Sequence, residues 1–189
     1  CVISRSKEAK SLGIKMGAPA FKMKPIFDQH KVHVFSSNFP LYGDLSKRVM
    51  KILSDETPAM EIYSIDEAFL GLEGIINPKQ FSVNLKNKVV KWTGISVSIG
   101  VAPTKTLAKV ANRIAKKNKK SGVFLIKKKN TINQVLRHIL VSDLWGIGRQ
   151  YAKFLFKNGI KTAYDLVHAD ESWIKRNMSV NGLKIVKEL

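Results

Sequence analysis

Ile62-Tyr63-Ser64-Ile65-Asp66-Glu67-Ala68-Phe69-Leu70 places two adjacent carboxylates inside a run of apolar, strand-forming residues. Neighbours in a regular strand point to opposite faces, so an exposed strand is a poor home for such a pair. A turn or bulge at Ser64 to Asp66 lets both acids converge on one cation. Oxygen ligands of this kind suit Mg²⁺, which keeps several waters and takes substrate phosphates for the rest of its shell. For the dipeptide alone, a polar hairpin tip without chemistry is the competing reading.

Short apolar runs alternate with helical patterns on both sides of this stretch. Arg5 to Leu12 reads as a helix ended by Gly13, and Val32 to Phe35 as a strand. Leu41 to Leu53 has a helical period and stops before Pro58. Phe81 to Trp92 is helical, Ile95 to Val101 alternates as a strand, Thr104 caps a helix running to Lys117, and Val123 to Ile126 is a last strand. The pattern predicts an α+β domain, a mixed sheet with helices on one face. Beyond Lys127-Lys128-Lys129-Asn130 the character becomes all-helical, with patterns over about 131–140, 148–158, 162–168, 170–177 and 180–189.

The 189 residues carry 33 Lys and Arg against 14 Asp and Glu, a formal charge of +19. From Gly74 to Ser142 there is no acid at all, while fifteen Lys and Arg fall there. A chain this basic needs an anionic partner, of which nucleic acid is the commonest. The apolar fraction of 44% supports a real core. The single cysteine, Cys1, excludes an internal disulfide and thiolate metal sites and fits a reducing compartment. No apolar run approaches the roughly 18 residues that a membrane span needs. His30, His33, His138 and His168 show no ligand spacing, and Trp92, Trp145 and Trp173 read as core or domain-interface residues.

Leu144-Trp145-Gly146-Ile147-Gly148-Arg149 lies between two helical patterns. Glycines there let the backbone approach a phosphate closely, with N–H groups at the next helix start as donors. Arg149 and Lys153 add charge, and such contacts hold DNA without reading its sequence. A plain helix–helix turn is the alternative for Gly-x-Gly alone. Gly159-Ile160-Lys161-Thr162 reads as a further turn of the same helical domain.

Tyr63-Ser64-Ile65-Asp66-Glu67-Ala68-Phe69 resembles the catalytic signature of the Y-family translesion DNA polymerases. Four further stretches agree in order and spacing with the UmuC-like branch of that family. These are Cys1-Val2-Ile3 with Glu8-Ala9-Lys10 and Gly13-Ile14-Lys15-Met16-Gly17; Phe35-Ser36-Ser37-Asn38; Gly100-Val101-Ala102-Pro103-Thr104-Lys105-Thr106-Leu107-Ala108-Lys109; and Trp145-Gly146-Ile147-Gly148.

The resemblance implies partial fingers over 1–30, a palm over 31–130, and a helical thumb over 131–189 containing a helix-hairpin-helix element. It implies template-directed synthesis past damaged bases, as in a bacterial SOS response, with two Mg²⁺ ions bound through Asp66 and Glu67. Lys10 and Lys116 align with positions that contact the nucleotide triphosphate, although Lys10 stands where many relatives carry Arg and offers a point charge instead of a bidentate fork. Gly146, Ile147, Gly148, Arg149, Lys153, Lys105 and Lys109 are the expected DNA contacts.

Primer–template DNA and dNTP are the implied substrates. Accessory polymerase subunits, a recombinase filament and a sliding clamp are the implied further partners, in a bacterial, nucleoid-associated cytoplasmic setting. The family's first metal-binding Asp and its ribonucleotide-excluding aromatic fall upstream of Cys1, and its little finger falls beyond Leu189. On that alignment residues 1–189 alone are expected to be catalytically incomplete. Two other classes compete: a different palm-type nucleotidyl transferase or cyclase, and a non-catalytic DNA-binding protein in which Asp66-Glu67 is structural.

Overall fold

A computed structural model describes residues 1–117 and 121–189. The chain forms two compact units, Cys1–Tyr42 and Gly43–Leu189. The first holds α1 (Lys7–Ser11) and α2 (Ala20–Gln29). Ser6 caps α1 by accepting from the Ala9 N–H, and the Arg5 guanidinium donates to the Ile14 carbonyl at 2.9 Å. Residues 32–35, expected as a strand, form no strand: Phe35 is 85% exposed, and no partner edge pairs with them among the described residues. Apolar alternation without a ladder to satisfy its N–H and C=O groups leaves extended coil.

Helix α3 (Phe39–Glu56) carries into the second unit and ends two residues before Pro58, as the Pro signal predicts. Strands β1 (Met60–Ser64) and β2 (Glu67–Leu70) then pair antiparallel. Helix α4 (Pro78–Thr93) starts earlier than its apolar period suggests. Asn77 accepts from the Gln80 N–H, Pro78 occupies the first turn, and Gly94 at φ 72° closes the helix.

Strand β3 (Ile99–Val101), helix α5 (Lys105–Lys117) and strand β4 (Val123–Leu125) form a βαβ unit with the strands parallel. Only the last three residues of the expected strand Ile95–Val101 find a partner. Gly100 explains how closely α5 packs on β3: a Cβ there would lie 2.1 Å from the Asn112 nitrogen and 2.4 Å from the Ala108 carbonyl. The expected α+β class holds, with both strand directions present, divided between the pairs β1–β2 and β3–β4.

The remaining elements are helical: α6 (Lys129–His138), α7 (Arg149–Lys157), α8 (Ala163–Val167) and α9 (Glu171–Lys187). The two helical patterns expected at the end of the chain appear as α9 with a break at Ser179, where φ is 63° and ψ is −171°. One core joins Leu107, Val110 and Ala111 of α5 to Leu136, Leu155, Leu166 and Met178 of the helical region. A smaller one gathers Ile52, Leu85 and Val89. Helix α5 lies against β3 and β4 and shares the larger core with the helical region, which fixes the lysines along it.

Candidate active site and nucleic-acid interface

The β1–β2 hairpin carries the two acids. Its register runs Met60 to Leu70, Glu61 to Phe69 and Ile62 to Ala68, then slips so that Ser64 faces Glu67. The slip is the irregularity that the acid pair demands: one extra residue on β1 bends the strand and re-aims the residues beyond it. Ser64 Oγ donates to Asp66 Oδ1 at 2.8 Å, and Ser46 Oγ of α3 donates to the Ile65 carbonyl. The turn is thus held from within and from a neighbouring helix.

Asp66 is exposed. Glu67 is half-buried, with its Oε1 2.7 Å from Lys109 Nζ. Lys116, on the last turn of α5, is exposed and lines the same cleft as Glu67 and Lys109. That cleft has a volume of about 220 Å³ and is also lined by Arg113, Asp143 and Trp145. Arg113 is itself ion-paired with Asp143.

Two adjacent carboxylates at one tight turn are hard oxygen donors, and Mg²⁺ is commonly held by one or two protein carboxylates with phosphates and water completing the shell. Among the described residues no group of three or more His, Cys, Asp or Glu comes together. Asp66 is exposed at the turn, and Glu67, which lines the cleft, is paired with Lys109.

Lys105 and Lys109 share the outer face of α5 but meet different acids. Lys105 pairs with Glu61 and sits 5.3 Å from the Phe69 ring centroid. Lys109 pairs with Glu67 and is largely shielded, its side chain 18% exposed. Lys10 lies exposed on α1, in the first unit.

The glycine hairpin occupies residues 145–148. Gly146 has φ +87°, so the backbone favours glycine, and a Cβ there would push the tip of the Ile185 side chain, 2.8 Å away. Gly148 has a φ of −78°, which any residue adopts, so the turn does not need a left-handed residue at that position. It is the N-cap of α7, no side chain caps the helix there, and the space where its Cβ would point is open. Ile147 is buried beneath and anchors the hairpin. Exposed Arg149 and Lys153 stand one helical turn apart on α7 and line, with Gly148, Ile147 and Phe156, a groove of about 400 Å³.

Sequence reasoning missed the link between hairpin and acids. Trp145 Nε1 donates to Tyr63 Oη at 3.0 Å, and the two rings meet edge to face at 5.3 Å. Trp173 stacks on Phe154 at 5.6 Å as an inward residue would, whereas Trp92 is 62% exposed and its ring is covered by Lys88 instead.

The model for the impB/mucB/samB family matches residues 1–113. The chain belongs to that family. Similar curated relatives include Protein ImpB and Protein UmuC of Salmonella typhimurium, each 43% identical over the whole of this chain and 46% of the relative. DNA polymerase IV of Picrophilus torridus is 32% identical over the whole chain and 53% of the relative. The chain spans about half the length of these proteins. Among solved structures, the post-insertion binary complex of Dbh DNA polymerase superposes with a TM-score of 0.81 at 27% identity, over 96% of this chain and 53% of that one. The insertion ternary complex of the same polymerase gives 0.80 at 26% identity, over 96% of this chain and 54% of that one. No helix among the described residues is long and apolar enough to cross a membrane.

Proposed function

We propose that this chain supplies the metal-binding turn and the DNA-gripping thumb of a translesion DNA polymerase that extends a primer by template-directed nucleotidyl transfer. The observation that carries this reading is the slipped β1–β2 turn, which brings Glu67 into one cleft with Lys116. Adjacent to that cleft, Trp145 leads into the glycine hairpin. Family membership supports the activity, since relatives named as DNA polymerases match along the whole chain.

In this reading Asp66 and Glu67 hold Mg²⁺, which when bound lowers the charge penalty on the attacking and leaving oxygens. The primer 3′ oxygen forms a bond to the α-phosphorus of the nucleotide while the bond to pyrophosphate breaks. Lys116, exposed and lining the cleft, would meet the triphosphate charge. Lys10, exposed in the first unit, keeps a triphosphate role through the family resemblance alone. Gly148, open and at the N-terminus of α7, gives a DNA phosphate close access to the first N–H groups of the helix. Arg149 and Lys153 flank it with charge.

The test grafts residues 1–189 into a full-length relative in place of its matching segment. Asp66→Asn removes an anionic oxygen while keeping shape, and primer extension is expected to vanish while DNA binding stays. Extension near the parent rate with Asp66→Asn in place would leave a DNA-binding protein in which the acids are structural.

A further inference from the structure

The ammonium of Lys109 sits in a box that the proposed chemistry does not require. Its Nζ lies 4.6 Å from the Tyr63 ring centroid, 5.6 Å from that of Trp145 and 5.8 Å from that of Phe69. The fourth wall is the Glu67 carboxylate, at 2.7 Å. The rings come from three elements: Tyr63 from β1, Phe69 from β2, and Trp145 from the segment leading into the glycine hairpin. They also brace one another, with Tyr63–Phe69 at 5.8 Å and Phe69–Trp145 at 5.7 Å in addition to the Trp145–Tyr63 hydrogen bond. An ammonium that only faced solvent or a DNA phosphate would need no such enclosure. Aromatic faces attract a cation, and their attraction grows as water is removed.

We propose that Lys109 is a positioning residue, a resident counter-cation that holds the Glu67 carboxylate aimed and neutralised until a divalent ion takes it over. This rests on the reading of Asp66 and Glu67 as metal ligands. Because the ammonium competes for the carboxylate, a bare cation is bound poorly. Capture becomes favourable when phosphate oxygens arrive with the ion and complete its shell. Lys109 thereby ties metal loading to the presence of nucleotide. Trp145, as one wall of the box, carries the event to the DNA-facing hairpin.

The test is Mn²⁺ binding to the 189-residue chain, followed by the loss of the free-ion paramagnetic resonance signal, without nucleotide or DNA. Lys109→Met fills the box with a chain of similar length that packs well on aromatic rings but carries no charge. Affinity for Mn²⁺ is expected to tighten roughly three- to tenfold, the range for a part-buried ion pair. Lys109→Arg keeps the charge and should stay at the wild-type value. A variant that merely loosened the fold would bind the ion less well, so a gain separates competition from damage.

The second readout is ¹⁹F resonance of chain carrying 5-fluorotryptophan, with the Trp145 signal assigned by its loss in Trp145→Phe. Adding Mg²⁺ to saturation, enough to overcome the competition without nucleotide, should shift that signal in the wild type, as the ammonium leaves the box, and leave it still in Lys109→Met. Asp66→Asn serves as the control for the metal reading. If Mn²⁺ binds in an Asp66-dependent way but Lys109→Met does not tighten it, or the Trp145 signal stays still in the wild type, the counter-cation proposal fails alone. If no variant binds Mn²⁺, the proposal and the metal reading both fail.

Discussion

Glu188, just past the end of α9, caps α5 across 82 residues of sequence: its Oε2 accepts from both the backbone N–H and the hydroxyl of Thr106. Its own carbonyl accepts from the Thr104 hydroxyl, which in turn accepts from the Leu107 N–H at 3.2 Å. The first turn of the helix that presents Lys105, Lys109 and Lys116 is therefore completed by the helical region that carries the glycine hairpin. An anion at a helix N-terminus also meets the positive end of the helix dipole.

Glu188→Ala leaves the N–H and the buried hydroxyl of Thr106 without their acceptor. The expected loss is about 1–2 kcal/mol in urea unfolding, the usual range for a lost cap with a stranded buried donor. Glu188→Gln retains a carbonyl oxygen and should lose clearly less. Equal losses would mean that the charge, not the hydrogen bonds, carries the contact.

Ser179 interrupts α9 with a backbone conformation that belongs almost exclusively to glycine. Its hydroxyl accepts from the Asn181 N–H at 3.3 Å, so it caps the second segment of the helix at the cost of strain. Ser179→Gly should raise stability by about 1 kcal/mol if strain outweighs the lost cap. A lower unfolding midpoint would show that the capping bond is the larger effect.

Helix α8 begins with a capping box in which Thr162 and Asp165 satisfy each other's backbone N–H groups. Hydrogen bonding from the Thr162 N–H, joined by the Lys161 N–H and the Arg137 charge, holds the Asp165 carboxyl below its ordinary range. A carboxyl depressed in the folded state adds stability above its unfolded pKa, and that stability is lost as pH falls through the folded value. Asp165→Asn should therefore flatten the acid limb of a stability-against-pH curve. A mutant whose acid limb matches the wild type would rule Asp165 out as its source.

How much of the fold and the site was legible in the sequence depends on how local each feature is. The Asp66-Glu67 turn could be read because two acids inside Ile62 to Leu70 are compatible with few backbones, and the structure meets the demand with a slipped register. The Thr104 cap and the Asn77-Pro78 start are signals carried within four residues. Val32 to Phe35 misled because alternation predicts a strand only where an edge exists to pair with it. The two glycines of the hairpin look alike in sequence, although only Gly146 has positive φ. The aromatic box around Lys109 draws on positions 63, 69, 109 and 145, and Glu188 meets Thr106 from 82 residues away. No spacing rule reaches across such distances; only the packing of α5 against β3, β4 and the helical region brings those residues together.

The division of labour between hairpin and acids is the centre of this account, and single-turnover nucleotide insertion at saturating DNA tests it most directly. The measurement compares Gly148→Val and Asp66→Asn, each in the grafted full-length relative and each after a folding check. A Cβ at Gly148 would meet no protein atom within 4 Å, and a branched side chain there fills the space proposed for a DNA phosphate. The predicted result is weaker DNA affinity with a near-normal insertion rate for Gly148→Val, and normal affinity with no insertion for Asp66→Asn. Normal DNA affinity in Gly148→Val, or insertion surviving in Asp66→Asn, would contradict it.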